Sequence, residues 1–440
     1  MIVRFIVENF LSFRDEVEIS MIAGSERRLP DHYVKLKDFN VLKSAVIYGP
    51  NASGKSNLVK AIYFAQQFIL HGFSRVESLN KHHKLNPEGF TKPTRFEFEI
   101  LVGKTLFSYG FTLQLNERIV KEEFLYRIGK SRNIMVFERD IDSNNEIRVK
   151  YGMKVSRDES FRFDIYAKDL KPDQLLLQQI NTRNLDELDS AIPFTTVYKW
   201  FQQKLVVVFP DARYEGLSYP NTNERFIEVL SKFLNSMDTG ISEASLAEVD
   251  IEEELKNIQE AERNKILNDL KRNTVKFLQI NKVSYSIWLD ESGNIRGKKL
   301  AFVHANKNGK PVLFDCNEES DGTNRLLDLI PALDVLSTDE SVFIVDEIDR
   351  SLHPHLSKAI LNLFFELSHG INNQLIVTTH ELSLQNLRAL RKDEIWFIER
   401  KPDGHSELYS LNEFKVRPDK ELRKDYLMGR YGAIPRIQTF

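Results

Sequence analysis

The chain has 440 residues, of which 42% are hydrophobic and 28% are charged, an ordinary globular composition that argues against disorder. The formal net charge of −3 gives no general attraction to nucleic acid or to an anionic membrane. A single cysteine, Cys316, excludes an internal disulfide and favours a reducing cytoplasm. The amino terminus lacks a signal peptide's apolar core, and no apolar run approaches the ~20 residues that cross a bilayer, so we expect a soluble protein with no membrane partner.

The first part of the chain is predicted to hold short strands and one helix. At residues 57–70 the apolar residues recur at the spacing of an amphipathic helix. Between Arg95 and Arg127 the period is two, which is typical of antiparallel strands with one buried face. The predicted strands are Ile2–Val7, Val17–Met21, Ser44–Tyr48, several between Arg95 and Arg127, Ile134–Arg139 and Ile147–Tyr151.

A mainly helical segment is predicted from Asp169 to about Phe277. Within it, Glu243–Leu278 places apolar residues at approximately helical spacing opposite a heavily charged face. We predict a short coiled-coil-like arm or antiparallel hairpin inserted into the domain, and an ordinary amphipathic surface helix is the alternative. Strands and helices alternate again afterwards, so we expect an α/β protein in three segments: residues 1–168, a helical insertion at 169–280, and residues 281–440.

A glycine-rich loop follows the predicted strand Ser44–Tyr48 and matches the pattern G-x-x-x-x-G-K-[ST]. Glycines let successive backbone N–H groups curl around phosphates, and the following helix points its positive end at them. We expect Lys55 to reach the β- and γ-phosphates of ATP and the Ser56 hydroxyl to ligate Mg²⁺. The residues predicted to bind the nucleotide are Gly49, Pro50, Asn51, Ala52, Ser53, Gly54, Lys55, Ser56 and Asn57.

Two further strands, later in the sequence, are predicted to end in polar residues. The run Ser341–Val345 reads as a buried parallel strand that delivers Asp346 and Glu347 at its carboxyl end. Asp346 would hold Mg²⁺, and Glu347 would orient the water that attacks the γ-phosphate. The run Leu375–Thr379 ends in His380, which would lie beside the γ-phosphate. We therefore predict catalytic roles for Glu347 and His380, together with the lysine of the glycine-rich loop.

A Ser-x-Gly turn precedes the predicted helix Arg325–Leu336, shortly before the Asp-Glu strand. Such a turn offers backbone N–H groups and a helix dipole to an anion, although in isolation it is also an ordinary helix N-cap. Because it stands between the glycine-rich loop and the acidic strand, we interpret Ser320 and Gly322 as a second phosphate-binding element.

In chain order, the motifs are the glycine-rich loop, the Ser-x-Gly turn, Asp346-Glu347 and Thr379-His380, and they resemble the motifs of ABC-type ATPases of the SMC, RecF and OLD branch. The resemblance spans most of the chain and implies that two copies sandwich two ATP molecules. Ser320 and Gly322 of one copy would then contact the γ-phosphate bound by the other. The turn Asn9–Arg14 resembles the turn that packs near the base in this family. In this family the Ser-x-Gly turn corresponds to the signature loop. The chain has Asp321 and Thr323 there, whereas transporter-type members have paired glycines and a terminal glutamine.

The tail, Tyr426–Pro435, resembles the carboxyl-terminal signature of small bacterial ABC-type ATPases of anti-phage defence, namely RloA-like, AbiL-like and PARIS-type proteins. This resemblance implies a homodimer or higher homo-oligomer that controls a separate effector protein, which we interpret as a nuclease. A RecF- or SMC-like repair ATPase that binds duplex DNA is the alternative. An OLD-like enzyme is excluded because no Asp-x-Asp pair of its nuclease domain follows His380.

Overall fold

The structure is a computed structural model that describes most of the chain. The chain forms two compact units: the first unit comprises residues 1–210, 339–349 and 364–440, and the second unit comprises residues 211–338 and 350–363. The three segments proposed from the sequence stay a prediction. The described residues are 1–142, 144, 146–153, 157–183, 189–210, 224–237, 239–256, 258–270, 276–280, 283–338, 340–416 and 422–434.

Strands and helices alternate along much of the chain. The strands are β1 (Ile2–Glu8), β2 (Val17–Ser20), β3 (Tyr33–Lys35), β4 (Asn40–Leu42), β5 (Ser44–Tyr48), β6 (Thr94–Val102), β7 (Thr105–Gln114), β8 (Ile119–Ile128), β9 (Ile134–Ile141), β10 (Ile147–Tyr151), β11 (Leu205–Val208), β12 (Ile241–Val249), β13 (Lys276–Ile280), β14 (Val283–Leu289), β15 (Ile295–Ala305), β16 (Pro311–Asp315), β17 (Val342–Val345), β18 (Gln374–Thr379), β19 (Ile395–Arg400) and β20 (Ser406–Ser410). The helices are α1 (Lys55–His71), α2 (Arg157–Lys168), α3 (Leu176–Asn181), α4 (Ile192–Gln203), α5 (Glu224–Ser236), α6 (Ile251–Leu255), α7 (Glu260–Asp269), α8 (Asp321–Thr338), α9 (Pro354–Leu367) and α10 (Leu422–Leu427). Across the described ranges, none of the helices is long and apolar enough to cross a membrane.

The first unit contains a seven-stranded antiparallel sheet in the order β10-β9-β8-β7-β6-β1-β2. Strand β6 shows why the sequence folds this way, because Phe96, Phe98 and Ile100 are buried while charged residues alternate with them. Phe98 lies opposite Phe5 of β1, and their ring centroids are 4.7 Å apart. The antiparallel β lobe predicted from the period-two pattern is confirmed.

A second sheet of the first unit has the order β11-β17-β18-β5-β19-β20 and is parallel except at β20. Strands β5, β17 and β18 are buried along their whole length, which explains why they are largely apolar rather than alternating. Their register pairs Val345 with Val377 and Thr379 with Tyr48. The carboxyl ends of these three strands therefore meet at one edge of the sheet.

The second unit holds an antiparallel sheet in the order β12-β15-β14-β13, with β16 also paired to β15. The helices expected in the insertion are present, but Glu243–Leu278 is not one helix. Its first residues belong to β12 and its last to β13, with α6 and α7 between them. The apolar spacing predicted the wrong element there because β12 is stabilised by pairing with β15, which local spacing does not reveal. The α/β class, with an antiparallel lobe and a helix-containing insertion, is confirmed.

Candidate active site

The glycine-rich loop between β5 and α1 contains two residues with positive φ and packs closely against strand β19. Ala52 and Gly54 lie in the left-handed region, with φ of +61° and +117°. A Cβ on Gly49 would lie 2.4 Å from the carbonyl oxygen of Ile398, so only glycine fits where the loop leaves β5. Helix α1 begins at Lys55 with no side-chain cap on its first N–H groups. Its uncapped N–H groups and dipole can therefore bind an anion.

The Lys55 ammonium lies inside this loop. Its Nζ donates to the carbonyl oxygens of Gly49 at 2.7 Å and Pro50 at 3.1 Å, and lies 3.5 Å from Nδ1 of His380. Burial lowers the pKa of Lys55 to about 8, because water is removed from the ammonium; nearby carboxylates, Glu347 the strongest, oppose the shift. A cation in so dry a position interacts more strongly with phosphate than an exposed lysine does.

Thr378, in strand β18, bonds to both of the acidic residues that follow β17, through the side chain of one and the backbone of the other. Its hydroxyl donates to Oδ1 of Asp346 at 2.5 Å and accepts from the backbone N–H of Glu347 at 2.8 Å. Glu347 has φ of +49°, a conformation that costs roughly 1–2 kcal/mol for a residue with a side chain. Thr378 thus fixes the turn that presents the Glu347 carboxylate. Sequence analysis missed this residue, and its only local signal was the polar end of an otherwise apolar strand.

His380 follows β18 and is held through its backbone. Its N–H lies 3.3 Å from both carboxylate oxygens of Asp349, a residue to which the sequence assigned no individual role. The pKa of His380 is lowered, first because partial burial removes water from the ring and second because Lys55 is close. The imidazole is therefore neutral at pH 7 and can donate or accept a hydrogen bond.

A cavity of about 840 Å³, within the size range of small-molecule sites, lies beside the glycine-rich loop, and Asp346, Asp349 and Thr378 do not line it. Lys55, Glu347 and His380 line it together, as do Ser56 and Asn57 at the beginning of α1. The first unit thus brings the three predicted catalytic residues to one space. The other lining residues are Leu11, Ser12, Asn51, Ala52, Ser53, Gly54, Asn80, Lys81, His82, His83, Lys84, Leu85, Arg400 and Gly404.

The amino-terminal turn, Asn9–Arg14, lies directly against the glycine-rich loop. Asn57 Nδ2 donates to the Ser12 hydroxyl at 2.9 Å. The Ser406 hydroxyl donates to the carbonyl oxygen of Ser53 at 2.6 Å, and the Ser406 N–H donates to the carbonyl oxygen of Ser12 at 2.8 Å. Two segments distant in sequence therefore brace the loop from outside.

The residues proposed for Mg²⁺ offer the oxygen donors that this ion prefers. Asp346 is a buried carboxylate, and Ser56 is a hydroxyl that lines the cavity. In the part of the chain that the structure describes, no group of three or more His, Cys, Asp or Glu side chains could hold a metal ion. Two protein ligands are sufficient for Mg²⁺, because this ion completes its coordination with water and nucleotide phosphates.

Ser320 and Gly322 belong to the second unit, whereas Lys55, Glu347 and His380 belong to the first. The Ser320 hydroxyl accepts from the N–H of Thr323 at 3.1 Å and so caps α8. A Cβ on Gly322 would lie 2.8 Å from the carbonyl oxygen of Ser351, which excludes a side chain there. The turn is therefore tightly built at the amino end of a helix.

The described part of the tail packs on the first unit. Tyr426 and Tyr431 stack on Phe397 of β19, with centroids 5.5 and 5.9 Å apart, and the Tyr426 hydroxyl donates to the carbonyl oxygen of Ala433 at 2.6 Å. Pro435, the end of the predicted tail motif, lies outside the described residues.

One family model and two solved structures are similar to this chain. The family model described as "AAA domain, putative AbiEii toxin, Type IV TA system" matches residues 44–385, which is more than half of the chain. A comparison with curated proteins finds no match. Among solved structures, an SMC head bound to the C-terminal winged-helix domain of ScpA is similar over 93% of this chain and 97% of its own, at 16% identity and a TM-score of 0.40. The SMC head domain from Thermotoga maritima is similar over 94% and 99%, at 14% identity and a TM-score of 0.38. The chain belongs to the P-loop ATPase family described as "AAA domain, putative AbiEii toxin, Type IV TA system".

Proposed function

We propose that this protein binds ATP with Mg²⁺ and hydrolyses it to ADP and phosphate. The observation that carries the proposal is the cavity in which Lys55, Glu347 and His380 meet at the beginning of α1. Phosphoryl transfer needs positioning and charge stabilisation more than covalent chemistry from the protein. A buried cation, a helix amino terminus and an acidic residue on a fixed turn supply both.

Each residue has a distinct role in the proposed reaction. The loop N–H groups and Lys55 bind the β- and γ-phosphates and stabilise the charge that develops on them. The Glu347 carboxylate accepts a hydrogen bond from the attacking water and aligns it with the γ-phosphate. His380 contacts the γ-phosphate. Mg²⁺, held by Ser56 and Asp346, would neutralise part of the phosphate charge.

The second unit suggests that hydrolysis requires two copies of the chain. Ser320 and Gly322 offer a helix amino terminus but no cation, so this turn alone is a weak phosphate site. In the proposed dimer, the turn of one copy completes the site that contains Lys55 of the other. An ATP-dependent change in self-association would then be the output of the nucleotide site.

The biological role that we propose is control of a separate effector, a nuclease in our interpretation, in bacterial anti-phage defence. The resemblance of the tail and the description of the family support this role. The test is purification of the protein from cells that express its neighbouring genes, with ATP and with ADP. Recovery of a stoichiometric nuclease in one nucleotide state would support the role, and recovery of the chain alone in both states would contradict it.

One feature favours the second candidate, an ATPase that binds duplex DNA. A groove of about 1010 Å³ in the first unit lies between the β3–β4 and β6–β7 hairpins and the end of β8. Within it, Lys130 pairs with Asp38 at 2.6 Å. Four further cations of the groove have no ion pair among the described residues: Lys35, Lys37, Lys104 and Arg127. Such a local excess of charge suits a phosphate backbone, although the chain as a whole is slightly acidic.

This candidate is tested by a charge reversal. Lys104→Glu combined with Arg127→Glu should weaken duplex binding and reduce its salt dependence if the groove binds DNA. Lys307→Glu combined with Lys310→Glu, at an exposed turn of the second unit, is the matched control. Wild-type protein that fails to shift duplex DNA at physiological salt would eliminate the candidate.

A further inference from the structure

The acidic residue just before the Ser-x-Gly turn, Glu319, keeps its side chain inside the second unit. Only 6% of that side chain is exposed, whereas the neighbouring acidic residues Glu318 and Asp321 are both exposed. Burial costs a carboxylate its hydration, so a buried carboxylate needs a partner that compensates for the loss. The proposed hydrolysis gives Glu319 no role, although the residue is next to Ser320 in sequence.

His304, in strand β15, is that partner. Its Nε2 lies 2.6 Å from Oε1 of Glu319. Because a carboxylate can only accept a hydrogen bond, the ring N–H is the donor. Among the residues that the structure describes, no other side chain bonds to the Glu319 carboxylate. One hydrogen bond therefore connects the sheet of the second unit to the residue that precedes the turn.

The sheet and its neighbours fix the position of the His304 ring. In the register of β15, His304 pairs with Ile241 of β12 on one side and with Val312 of β16 on the other. Its ring packs on the ring of Phe314, with centroids 4.6 Å apart. A donor whose rotamer is held by packing determines where its acceptor lies. The direction of the Glu319 side chain is therefore set by the sheet rather than by the turn.

This direction matters because the Ser-x-Gly turn is proposed to approach the γ-phosphate that the partner chain binds. Ser320 is exposed, so its surroundings decide which charges the phosphate meets. A Glu319 carboxylate that turned outward would lie beside the phosphate, and like charges repel strongly at short distance near a protein surface. Held inward by His304, the carboxylate leaves the N–H groups of the turn with one fewer negative charge beside them.

We propose that His304 is a positioning residue of the nucleotide site, which holds the Glu319 carboxylate inside the second unit and so allows the Ser-x-Gly turn to approach the partner's ATP. This inference rests on the proposed function, because it concerns the turn that completes the site. It gives His304 an effect on ATP-dependent self-association and on hydrolysis, and none on the binding of ATP by the glycine-rich loop.

The test removes the hydrogen bond and keeps the ring. His304→Phe retains an aromatic ring against Phe314 but has no N–H, so the Glu319 carboxylate loses its partner and turns to solvent. ATP-dependent self-association, measured by light scattering, and ATP turnover should each fall about tenfold. ATP affinity, measured by isothermal titration, should stay within about twofold, because the glycine-rich loop is unchanged.

A second substitution separates the charge of Glu319 from the packing of the ring. Glu319→Gln in the His304→Phe background removes the outward charge, so association and turnover should return to within about threefold of wild type. Lys299→Met is the matched control, since Lys299 is on the same strand and pairs with Asp315 at the same distance of 2.6 Å. This control should associate and turn over ATP like the wild type.

Two results would overturn the inference and leave the proposed function intact. Normal association and turnover in His304→Phe would mean that the Glu319 carboxylate does not affect the turn. A double variant as slow as His304→Phe alone, or an equal loss in Lys299→Met, would mean that the loss comes from packing in the sheet. Wild-type protein that neither associates with ATP nor hydrolyses it would contradict the proposed function itself.

Discussion

Two loops of this chain precede helices and are proposed to bind phosphate, but their chemistry differs. The loop before α1 encloses the buried cation of Lys55 and lies beside two carboxylates and a neutral imidazole. The stretch before α8, Asn317–Asn324, contains three acidic residues and no basic one. Its Ser320 hydroxyl already accepts from the backbone of its own helix.

The difference indicates an order of events. The first loop can bind a triphosphate by itself, because it supplies a cation as well as N–H groups. The second loop offers N–H groups within an acidic sequence, and its carboxylates repel a phosphate. It can therefore approach a phosphate only after the first loop has neutralised part of the phosphate charge. Changes to the first loop should therefore affect binding, and changes to the second should affect only steps that follow binding.

The largest effect is expected from Lys55→Ala. It removes the buried ammonium, so ATP affinity measured by isothermal titration should fall about a thousandfold. Lys60→Ala, an exposed lysine on the same helix, is the control and should bind normally. Unchanged affinity in Lys55→Ala would remove the basis for assigning the first loop as the nucleotide site.

Glu347→Gln should separate binding from hydrolysis within the first unit. The amide keeps the shape of the side chain but loses the charge that orients water, so single-turnover hydrolysis should slow about a hundredfold. ATP affinity should stay within about twofold. Glu366→Gln, an exposed position on α9, is the control. Unchanged turnover would transfer the catalytic role to another residue, with His380 the next candidate.

The lowered pKa of Lys55 predicts a pH dependence of binding. Only the ammonium form attracts phosphate, and in the free protein this form is lost as pH rises through the pKa of about 8. Bound phosphate favours the charged form, so ATP affinity should fall about tenfold between pH 7 and pH 9. Titrations across this range in one ionic strength measure it. Constant affinity up to pH 9 would mean that the ammonium has an ordinary pKa.

A smaller effect is expected from Thr378→Val, which removes the hydrogen bonds to Asp346 and Glu347. The bond to the Glu347 N–H holds the turn that presents the catalytic carboxylate, and one such bond contributes about 1 kcal/mol, so turnover should fall roughly fivefold while ATP binding remains. Thr378→Ser should restore the rate, because the hydroxyl returns. Thr379→Val, in the same strand, is the control, and it removes a different hydrogen bond, which the Thr379 hydroxyl accepts from the Glu381 N–H at 2.9 Å. Equal losses in both valine variants would indicate a general weakening of β18 rather than positioning.

The elements that carry the site could be predicted because their signals are local. Lys55 belongs to a motif of eight consecutive residues, and Glu347 and His380 each follow an apolar run. The role of Thr378 could not be predicted, because it depends on the pairing of β17 with β18 between residues 32 positions apart.

The second unit was harder to predict for a related reason. Apolar residues between Glu243 and Leu278 suggested a helical arm, but β12 and β13 at its ends belong to the sheet of that unit. Ile251 and Leu255 between them are part of its core. Deleting this segment would therefore remove two strands and part of a core, and point substitutions are the better probe of this unit.

The central claim is that the two loops act together only across a pair of chains, and a mixing experiment tests it most directly. Ser320→Arg should bind ATP normally but fail to hydrolyse it, since the new side chain would clash with the partner's nucleotide, and Lys55→Ala should be inactive for lack of binding. In an equal mixture, about half of the dimers are mixed and one of their two sites has both intact loops, so ATPase activity should recover to about a quarter of wild type. A mixture no more active than the two variants measured separately, or a Ser320→Arg protein with normal turnover, would contradict the account.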